Sequence, residues 1–421
     1  MCKTNTIMRT KLISRKMLVF VLCILLLSCT GRRTQVTQSS QSDDITMPGK
    51  DEKNDNSLLF LDITKEYPKR DFIIQDIADI EYIPIETTND VLLDGGALSN
   101  MAVSDNLIVT CNMSAGTVFV FDRTGKVRNS FNHQGSGGNE YQSVIRYCVD
   151  FNSNEIFIWG FYPRYRIMVY SLNGEFKRVL KLKSKLWPEL MFNYNDEFLF
   201  CYDAYKLDYD NREGKGRLND RPYSLISKKN AQIYPLNLEV QNRMSNNFNS
   251  SKQVSYMVNI YSAIKKTDEI IISDFALDTI YSFKDNVLQP IAVHNTTPKS
   301  DTSVSLVSVL IKTNKYIFWD IIEKKIVDDA LVPERRVLVQ DCLTGEVWEP
   351  LFYSTDFLPK QRINIPDVYM TDLPENYARR SFTAEMLTDL FQKDELTGKL
   401  KDAASKLKED DNPVLMLIKF K

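Results

Sequence analysis

The stretch TVFVFDRTGKVRNSF, residues 117–131, decides the fold because it has the form of two strands joined by a tight turn. A run of β-branched and aromatic residues leads into Asp-Arg-Thr-Gly, and a second extended run follows. Gly125 marks the apex, since glycine readily adopts the positive φ that a tight hairpin turn requires. The stretch therefore predicts a β-hairpin.

Four further stretches repeat this pattern: RIMVYSLNGEFKRVL (166–180), PYSLISKKNAQIYPL (222–236), TIYSFKDNVLQPI (279–291) and VLVQDCLTGEVWEPL (337–351). The expected apices are 49, 56, 56 and 59 residues apart, at Gly125, Gly174, Asn230, Asn286 and Gly345. Further strand candidates precede the hairpins, as in 143–151 and 155–161, giving four strands per repeat. A repeat of this length built from strands is typical of a β-propeller. Unrelated hairpins in a β-sandwich are the alternative, which five regular copies disfavour.

Five repeats leave a strand-like run at each end of the folded chain, at 77–88 and 413–421, and residues 361–372 add another candidate. We expect these runs to build a sixth blade, with the carboxy-terminal strands inside and the amino-terminal strand outside. Closing the ring in this way removes exposed sheet edges. The predicted fold is an all-β, six-bladed β-propeller over residues 58–421, closed by its N- and C-terminal strands.

A helical insert interrupts the predicted sixth blade near the C-terminus. Within 381–410, apolar residues recur at helical spacing, first around Met386 to Phe391 and then around Leu400 to Leu407. We expect a helix packed against a face of the propeller or capping the channel mouth. A helix that binds a partner is the alternative.

The amino terminus predicts export. Residues 1–28 carry five basic and no acidic side chains, and an apolar run of 11 residues occupies 17–27. That run is too short for a membrane-spanning helix, which takes about 20 residues, but suits a signal peptide. It leads into Leu-Leu-Ser-Cys, which resembles the lipobox of bacterial lipoproteins, so Cys29 is the expected lipid attachment site. An ordinary secretory signal with an unmodified Cys29 is the alternative.

The segment after Cys29 predicts a tether and a location. Residues 29–57 contain no aromatic and few aliphatic residues, so we expect them to be disordered. Thr30, rather than aspartate, follows Cys29. By resemblance to Gram-negative sorting rules, this implies an outer-membrane lipoprotein. Gly31-Arg32-Arg33 replaces the acidic residues of surface-exported lipoproteins, which favours a periplasm-facing protein held to the membrane by its lipid.

Charge and cysteine usage exclude several classes of function. Loss of the signal leaves a net charge of −7, which argues against a nucleic-acid partner. The chain has only two histidines and no CxxC pair, so we predict neither a metal site nor a cofactor. We expect buried free thiols at the four cysteines of the folded part, although their spacing does not decide on disulfides: Cys111, Cys148, Cys201 and Cys342.

A glycine-rich stretch, FNHQGSGGNEY (131–141), raises the question of a phosphate-binding loop. It lacks the following GK[ST], and Glu140 stands where a GxGxxG motif needs its third glycine. The stretch therefore predicts a link between the outer strand of one blade and the inner strand of the next. We expect this link on the propeller face opposite the Gly125-type hairpin turns. The loops on that face include 206–220 and 324–334, which are the longest in the repeats, and binding residues often lie on such loops. The candidate ligand-binding residues are His133, Tyr141, Tyr162, Arg164 and Tyr165.

Several of these motifs together resemble a known family. The chain is similar to the six-bladed, NHL-like β-propeller lipoproteins abundant in Bacteroides and its relatives, from about residue 58 to 421. The resemblance is carried by IEYIPIETT, VFVFDRTGKV, DNPVLMLIKFK and QGSGGNEY, the last similar to the family's G-x-G-P-G-E-Y. It implies a fold and an envelope location, but no activity and no catalytic residues.

The sequence contains no recognisable catalytic motif. A G-x-S-x-G nucleophile elbow does not occur in it. We therefore expect a binding or interaction module whose ligand is an unknown protein or glycan, rather than an enzyme. One alternative is a carbohydrate-active hydrolase or lyase that uses the channel mouth. Another is a scaffold for a membrane complex.

Overall fold

The computed structural model describes residues 58–421, apart from 161, 163–164, 184–186, 204, 207–216, 219, 242–243, 245–246, 250–254, 259, 267, 296–303, 328–329 and 366–371. The predicted signal peptide, the lipid attachment site Cys29, the tether and the candidate ligand residue Arg164 lie outside the described residues.

The described chain begins with three strands that belong to three different blades. They are β1 (Leu59–Leu61), β2 (Lys69–Ile73) and, after the short helix α1 (Ile74–Ile77), β3 (Ala78–Pro84). β1 pairs in parallel with the outermost strand of the fourth blade, and β2 does so with that of the fifth. β3 forms the outer strand of the sixth. We call residues 59–84 the N-terminal strap, because they cover the outer edges of three consecutive blades.

The first three blades are four-stranded antiparallel sheets. Blade 1 follows a short 3-10 helix (Ala97–Ser99) and contains β4 (Met101–Val103), β5 (Leu107–Asn112), β6 (Thr117–Asp122) and β7 (Val127–Asn132). Blade 2 contains β8 (Arg146–Asp150), β9 (Glu155–Trp159), β10 (Arg166–Ser171) and β11 (Phe176–Lys181). Blade 3 contains β12 (Pro188–Asn193), β13 (Phe198–Asp203), the inserted hairpin β14 (Tyr205–Lys206) and β15 (Arg217–Leu218), then β16 (Tyr223–Ser227) and β17 (Ile233–Pro235).

Blades 4 and 5 are the two that the strap extends. A small hairpin, β18 (Asn247–Asn249) and β19 (Ser255–Met257), precedes them. Blade 4 contains β20 (Ala263–Lys265), β21 (Ile270–Ile272), β22 (Thr279–Lys284) and β23 (Val287–His294). Blade 5 contains β24 (Val304–Lys312), β25 (Tyr316–Val327), β26 (Ala330–Asp341) and β27 (Val347–Ser354), and β28 (Gln361–Arg362) pairs with β27.

Blade 6 joins the two ends of the folded chain. Its described strands are β29 (Tyr377–Phe382), β30 (Val414–Phe420) and β3, in that order, with β3 outermost. At its inner side, Asp372 forms a parallel bridge with Ala102 of blade 1. The predicted closure, with carboxy-terminal strands inside and the amino-terminal strand outside, is confirmed. The candidate strand 361–372 is wrong as one element, because its start pairs with blade 5 and its end with blade 1.

The hydrophobic core is divided among the contacts between neighbouring blades. One buried cluster joins each successive pair, including blade 6 to blade 1, where Leu415 and Leu417 pack with Met101 and Phe119. The other five clusters join blades 1 and 2, 2 and 3, 3 and 4, 4 and 5, and 5 and 6. The ring is therefore closed by apolar packing on every side, which confirms the six-bladed propeller.

Three of the predicted hairpin apices are glycines with positive φ: Gly125, Gly174 and Gly345. Asn286 also has positive φ, together with Asp285. The apex placed at Asn230 is wrong by one residue, since Ala231 has the positive φ there. The predicted loop 324–334 is also wrong. Residues 324–327 and 330–334 continue the β25–β26 ladder, in which Lys324 pairs with Pro333.

The helical insert forms two helices, α2 (Ala384–Gln392) and α3 (Gly398–Ala404), between β29 and β30. The side chain of Thr383 accepts a hydrogen bond from the Met386 N–H, which caps α2. Leu387 and Leu400 are buried in the cluster between blades 5 and 6. The helices therefore pack at the contact between these blades, and no described residue of either helix lines the axial cavities.

Candidate functional site

The loop 131–141, where we expected a ligand, is held together by Tyr141. This side chain is buried, and its hydroxyl donates a hydrogen bond of 2.6 Å to the carbonyl oxygen of Gly116. The same hydroxyl accepts from the backbone N–H of His133 at 3.0 Å. Burial raises the pKa of Tyr141 to about 12, so the phenol is neutral at physiological pH. Tyr141 ties the loop to blade 1.

His133 ties the same loop to blade 2. Its ring stacks on Tyr170, with centroids 5.1 Å apart and planes 10° apart. Its Nε2 lies 2.6 Å from the carbonyl oxygen of Gly174, to which it donates. Gly174 is at the turn between the third and fourth strands of blade 2, and the end of β7 approaches that turn. A contact of this kind is expected from the strong twist of propeller sheets.

The remaining candidates lie on the next loop of blade 2. Tyr162 and Tyr165 are 62% and 45% exposed, and Arg164 lies outside the described residues. The structure therefore separates two exposed tyrosines from His133 and Tyr141, which have partners within the protein. Ligand binding by these residues stays a prediction.

The four cysteines of the folded part are free thiols. Cys111, Cys148 and Cys201 are buried in strands, and Cys342 is partly buried. Burial raises the pKa of all four thiols, that of Cys111 to about 12. Thiols with raised pKa values are weak nucleophiles, so these side chains act as packing groups.

Two cavities lie along the propeller axis. The first has an empty volume of about 790 Å³, including its open mouth, and is lined by the innermost strands β12, β20 and β24 and by residues 373–379. The second, of about 430 Å³, is lined by the starts of β4 and β8 and by Asp372. Phe192 lines both. We call the first the axial cavity and the second the lower cavity.

An ion pair lies between the two cavities. The Nζ of Lys265, which lines the axial cavity, lies 2.7 Å from Oδ2 of Asp372, which lines the lower cavity. The two side chains keep only 10% and 15% of their exposure. Burial raises the pKa of Asp372 more than Lys265 lowers it. The pair forms a polar partition between the cavities.

A second set of charges surrounds the mouth of the axial cavity. Lys266 Nζ lies 3.3 Å from Oε1 of Glu375 and 3.6 Å from Oε2 of Glu269. Lys312 Nζ is also 3.6 Å from Glu269. Lys266 is only 9% exposed at its side chain, while Glu375 is 47% exposed. Lys266 and Lys312 therefore lie 3.3 to 3.6 Å from their carboxylate partners, farther than the 2.7 Å between Lys265 and Asp372.

The axial cavity also presents uncharged polar and aromatic groups. The side-chain oxygen of Asn376 is buried without a hydrogen-bond partner, although Asn376 lines the cavity. Tyr261 and Tyr377 line it as well, and Leu310 and Ala378 belong to its apolar wall. An apolar cavity with a few convergent polar groups is the usual form of a small-molecule site.

The lower cavity is lined by Arg146, whose guanidinium is held by the backbone. Its Nε donates to the carbonyl oxygen of Glu189 at 2.8 Å, and Nη1 donates to that of Ile145 at 2.7 Å. Burial lowers the pKa of Arg146. These bonds fix the guanidinium at the wall of the cavity.

Sequence reasoning missed the axial residues. Lys265 and Lys266 read as an ordinary polar strand end, and Asp372 stands 107 residues further along the chain. The available signal was the propeller prediction itself, because the ends of innermost strands meet at the axis. It did not indicate which strand ends carry charge.

Comparison with known proteins assigns the family. The profile of a domain of unknown function, DUF4934, matches residues 60–327, which is more than half of the chain. The chain belongs to the DUF4934 family. Comparison of the DUF4934 chain with curated proteins gives no match.

Among solved structures similar to this DUF4934 protein, one with a TM-score above 0.5 supports the fold alone. A candidate exported protein from Bacteroides fragilis has a TM-score of 0.58 at 15% identity, covering 87% of this chain and 100% of its own. A member of the DUF4221 family from Bacteroides vulgatus has a TM-score of 0.41 at 10% identity, covering 82% and 97%.

Two kinds of feature are absent from the described part of the DUF4934 protein. No three histidine, cysteine or acidic side chains lie close enough there to bind a metal ion together. Its helices are too short or too polar to cross a membrane.

Proposed function

We propose that this DUF4934 protein is an envelope-anchored propeller lipoprotein that binds a small polar molecule in its axial cavity. The observation that carries the proposal is the convergence of polar side chains from blades 4, 5 and 6 on a largely apolar cavity. Lys266, Lys312 and Asn376 come from three separate parts of the chain but surround one space. Lys312 ends the strand β24, and Lys266 and Asn376 directly adjoin the strands β20 and β29, which favours a preformed site.

The pairing of the carboxylates favours binding over catalysis. A hydrolase of the glycosidase type needs two carboxyl groups that flank one scissile bond. Asp372 is held by Lys265, and Glu375 interacts with Lys266. Glu269 interacts with Lys266 and Lys312. Each of these carboxylates thus has a lysine partner, which favours ion pairing over the acid and base of a hydrolase. The arrangement therefore supports a binding module.

The proposed location combines the amino terminus with a structural relative. Residues 1–28 have the form of a signal peptide that leads to Cys29. The relative from Bacteroides fragilis is described as a candidate exported protein. Both support an envelope location, with lipid at Cys29 holding the propeller to the outer membrane on its periplasmic side.

Titration calorimetry of the mature protein tests the binding site. The panel consists of D-glucuronate, D-galacturonate and D-gluconate, with D-glucose, D-galactose and D-glucitol as neutral counterparts. We expect saturable binding of at least one compound and its loss in Glu375→Trp, since the indole would fill the cavity mouth. Glu385→Trp, on the exposed side of α2, is the matched control and should bind normally. Binding unchanged in Glu375→Trp, or no binding of any compound, would overturn the proposal.

A further inference from the structure

The ammonium group of Lys266 has hydrogen-bonding capacity left for a ligand. An ammonium group offers three donors, and charge-assisted bonds to carboxylates are usually about 2.7–2.9 Å long. Lys265 and the buried Lys228 both meet carboxylates at or below this range, at 2.7 and 2.6 Å. Lys266 has contacts of 3.3 and 3.6 Å, although its side chain is equally buried. Among the described lysines that line the axial cavity, Lys266 is the one whose side chain is buried but whose contacts with carboxylates are long.

Asn376 offers an acceptor in the same cavity as this donor. Its side-chain oxygen is buried without a hydrogen-bond partner, which native proteins usually avoid because such a group loses its hydrogen bonds to water. The backbone at Asn376 has a φ of 63°, and its carbonyl oxygen accepts from the N–H of Phe420. Asparagine tolerates this left-handed conformation. The amide is therefore held at the cavity by its backbone, with an acceptor left open.

The two groups together define a ligand class. A buried ammonium recognises an anionic oxygen, and an open amide oxygen recognises a hydroxyl. Tyr261 and Tyr377 line the same cavity and supply aromatic surface. From this geometry we infer that the axial cavity binds a hydroxy acid, such as an acidic sugar, with its carboxylate on Lys266 and a hydroxyl on Asn376. The inference rests on the proposed function, since it names the ligand of the same cavity.

The same six compounds form three acid–neutral pairs that test it. In the wild-type protein, an acid should bind at least about tenfold more tightly than its neutral counterpart, the size expected for one charge-assisted hydrogen bond. Lys266→Met should remove this difference between an acid and its neutral counterpart. Asn376→Gly, which accepts the positive φ, should weaken an acid and its counterpart by the same factor. Lys315→Met, at an exposed lysine in the turn after β24, is the matched control and should behave as wild type.

Salt provides a measurement that needs no variant. Raising sodium chloride should weaken acid binding and leave binding of the neutral compounds unchanged, because only the former involves a charge. Equal affinity for both members of each pair, with binding still lost in Glu375→Trp, would overturn the hydroxy-acid inference but leave the cavity as the site. Binding that survives Glu375→Trp, or no binding at all, would overturn the proposed function itself and this inference with it.

Discussion

Lys265 Nζ and Asp372 Oδ2 lie 2.7 Å apart and join blade 4 to the junction between blades 6 and 1. Lys265 ends the innermost strand of blade 4, while Asp372 lies at the inner side of blade 6 and is bridged to the innermost strand of blade 1. The two residues are 107 positions apart in the chain. The ion pair therefore ties distant parts of the ring together and lies between the two cavities.

Removing one member of this pair should be more harmful than removing both. Lys265→Met leaves Asp372 charged and nearly buried, so the free energy of unfolding should fall by about 3 kcal/mol. The double variant Lys265→Met/Asp372→Asn leaves neither charge of the pair, so its free energy of unfolding should fall by less. Urea unfolding followed by tryptophan fluorescence measures both. Lys393→Met, which removes the exposed partner of Asp389, serves as control and should show no measurable change. Additive losses in the double variant would argue against a coupled pair.

Gly125 should be required at the closure of the ring. A Cβ at this position would lie 2.1 Å from the carbonyl oxygen of Pro84 in the strap, and φ is 84°. Gly125→Ala should therefore lower the free energy of unfolding by more than about 3 kcal/mol, from backbone strain and displaced backbone together. Gly345→Ala has a similar φ, 72°, but nothing within 4 Å of the new Cβ, so only strain of about 1–2 kcal/mol is expected. If thermal or urea unfolding showed equal losses of unfolding free energy in Gly125→Ala and Gly345→Ala, the steric contribution from Pro84 would be contradicted.

His294 should make the protein less stable in mild acid. Burial lowers its pKa from the ordinary 6.5, and its Nδ1 lies 2.9 Å from the carbonyl oxygen of Asn295. Between the folded and unfolded pKa values the unfolded chain binds more protons, so stability falls as pH drops below about 6.5. His294→Asn should reduce this fall, which cannot exceed about 1.4 kcal/mol per pH unit for one group.

The control for His294 is a comparison at pH 7.5 and 8.5. The imidazole is neutral in both states there, so His294→Asn should show the same pH dependence as wild type. Urea unfolding at closely spaced pH values gives the curves. A wild-type curve and a variant curve that stay parallel from pH 7.5 to 5.5 would exclude the histidine as the cause.

Cys29 should carry the lipid. In a bacterial host fed radiolabelled palmitate, the wild-type chain should incorporate label and sediment with membranes, because more than one acyl chain gives stable anchoring. Cys29→Ala should lose the label and enter the soluble fraction. Cys23→Ala, within the apolar run of the signal, is the matched control and should remain labelled. A Cys29→Ala protein that stays fully membrane-bound would contradict the anchor.

The scaffold could be predicted from the sequence because its signals are local. Hairpin apices such as Gly125 and Gly345 are fixed by the positive φ of their turns, and strand runs by their β-branched and aromatic residues. Errors arose where tertiary contacts override the local signal. Ala231 rather than Asn230 has the positive φ, and residues 324–327 and 330–334 extend a hairpin where the sequence predicts a loop.

The axial site could not be predicted because its members are distant in sequence. Lys266 and Asn376 meet only when blades 4 and 6 are placed in one ring, and neither lies in a motif. His133 attracted attention because histidines are rare in this chain, yet its ring bonds to Gly174 of the neighbouring blade. The rarity of histidine and the nearby glycines made His133 conspicuous. Neither feature shows which side chains meet at one site in the folded protein.

The N-terminal strap has a consequence for the order of folding. Leu59 pairs with Ala292, Lys69 with Glu349, and Ala78 with Phe420, the last residue but one. β1 therefore has no partner strand until β23 has been made, β2 none until β27, and β3 none until β30. Such long-range pairing slows folding, because the chain must close its largest loops before the contacts repay the entropy. Blade 6, which closes the ring, therefore forms only after β30 has been made.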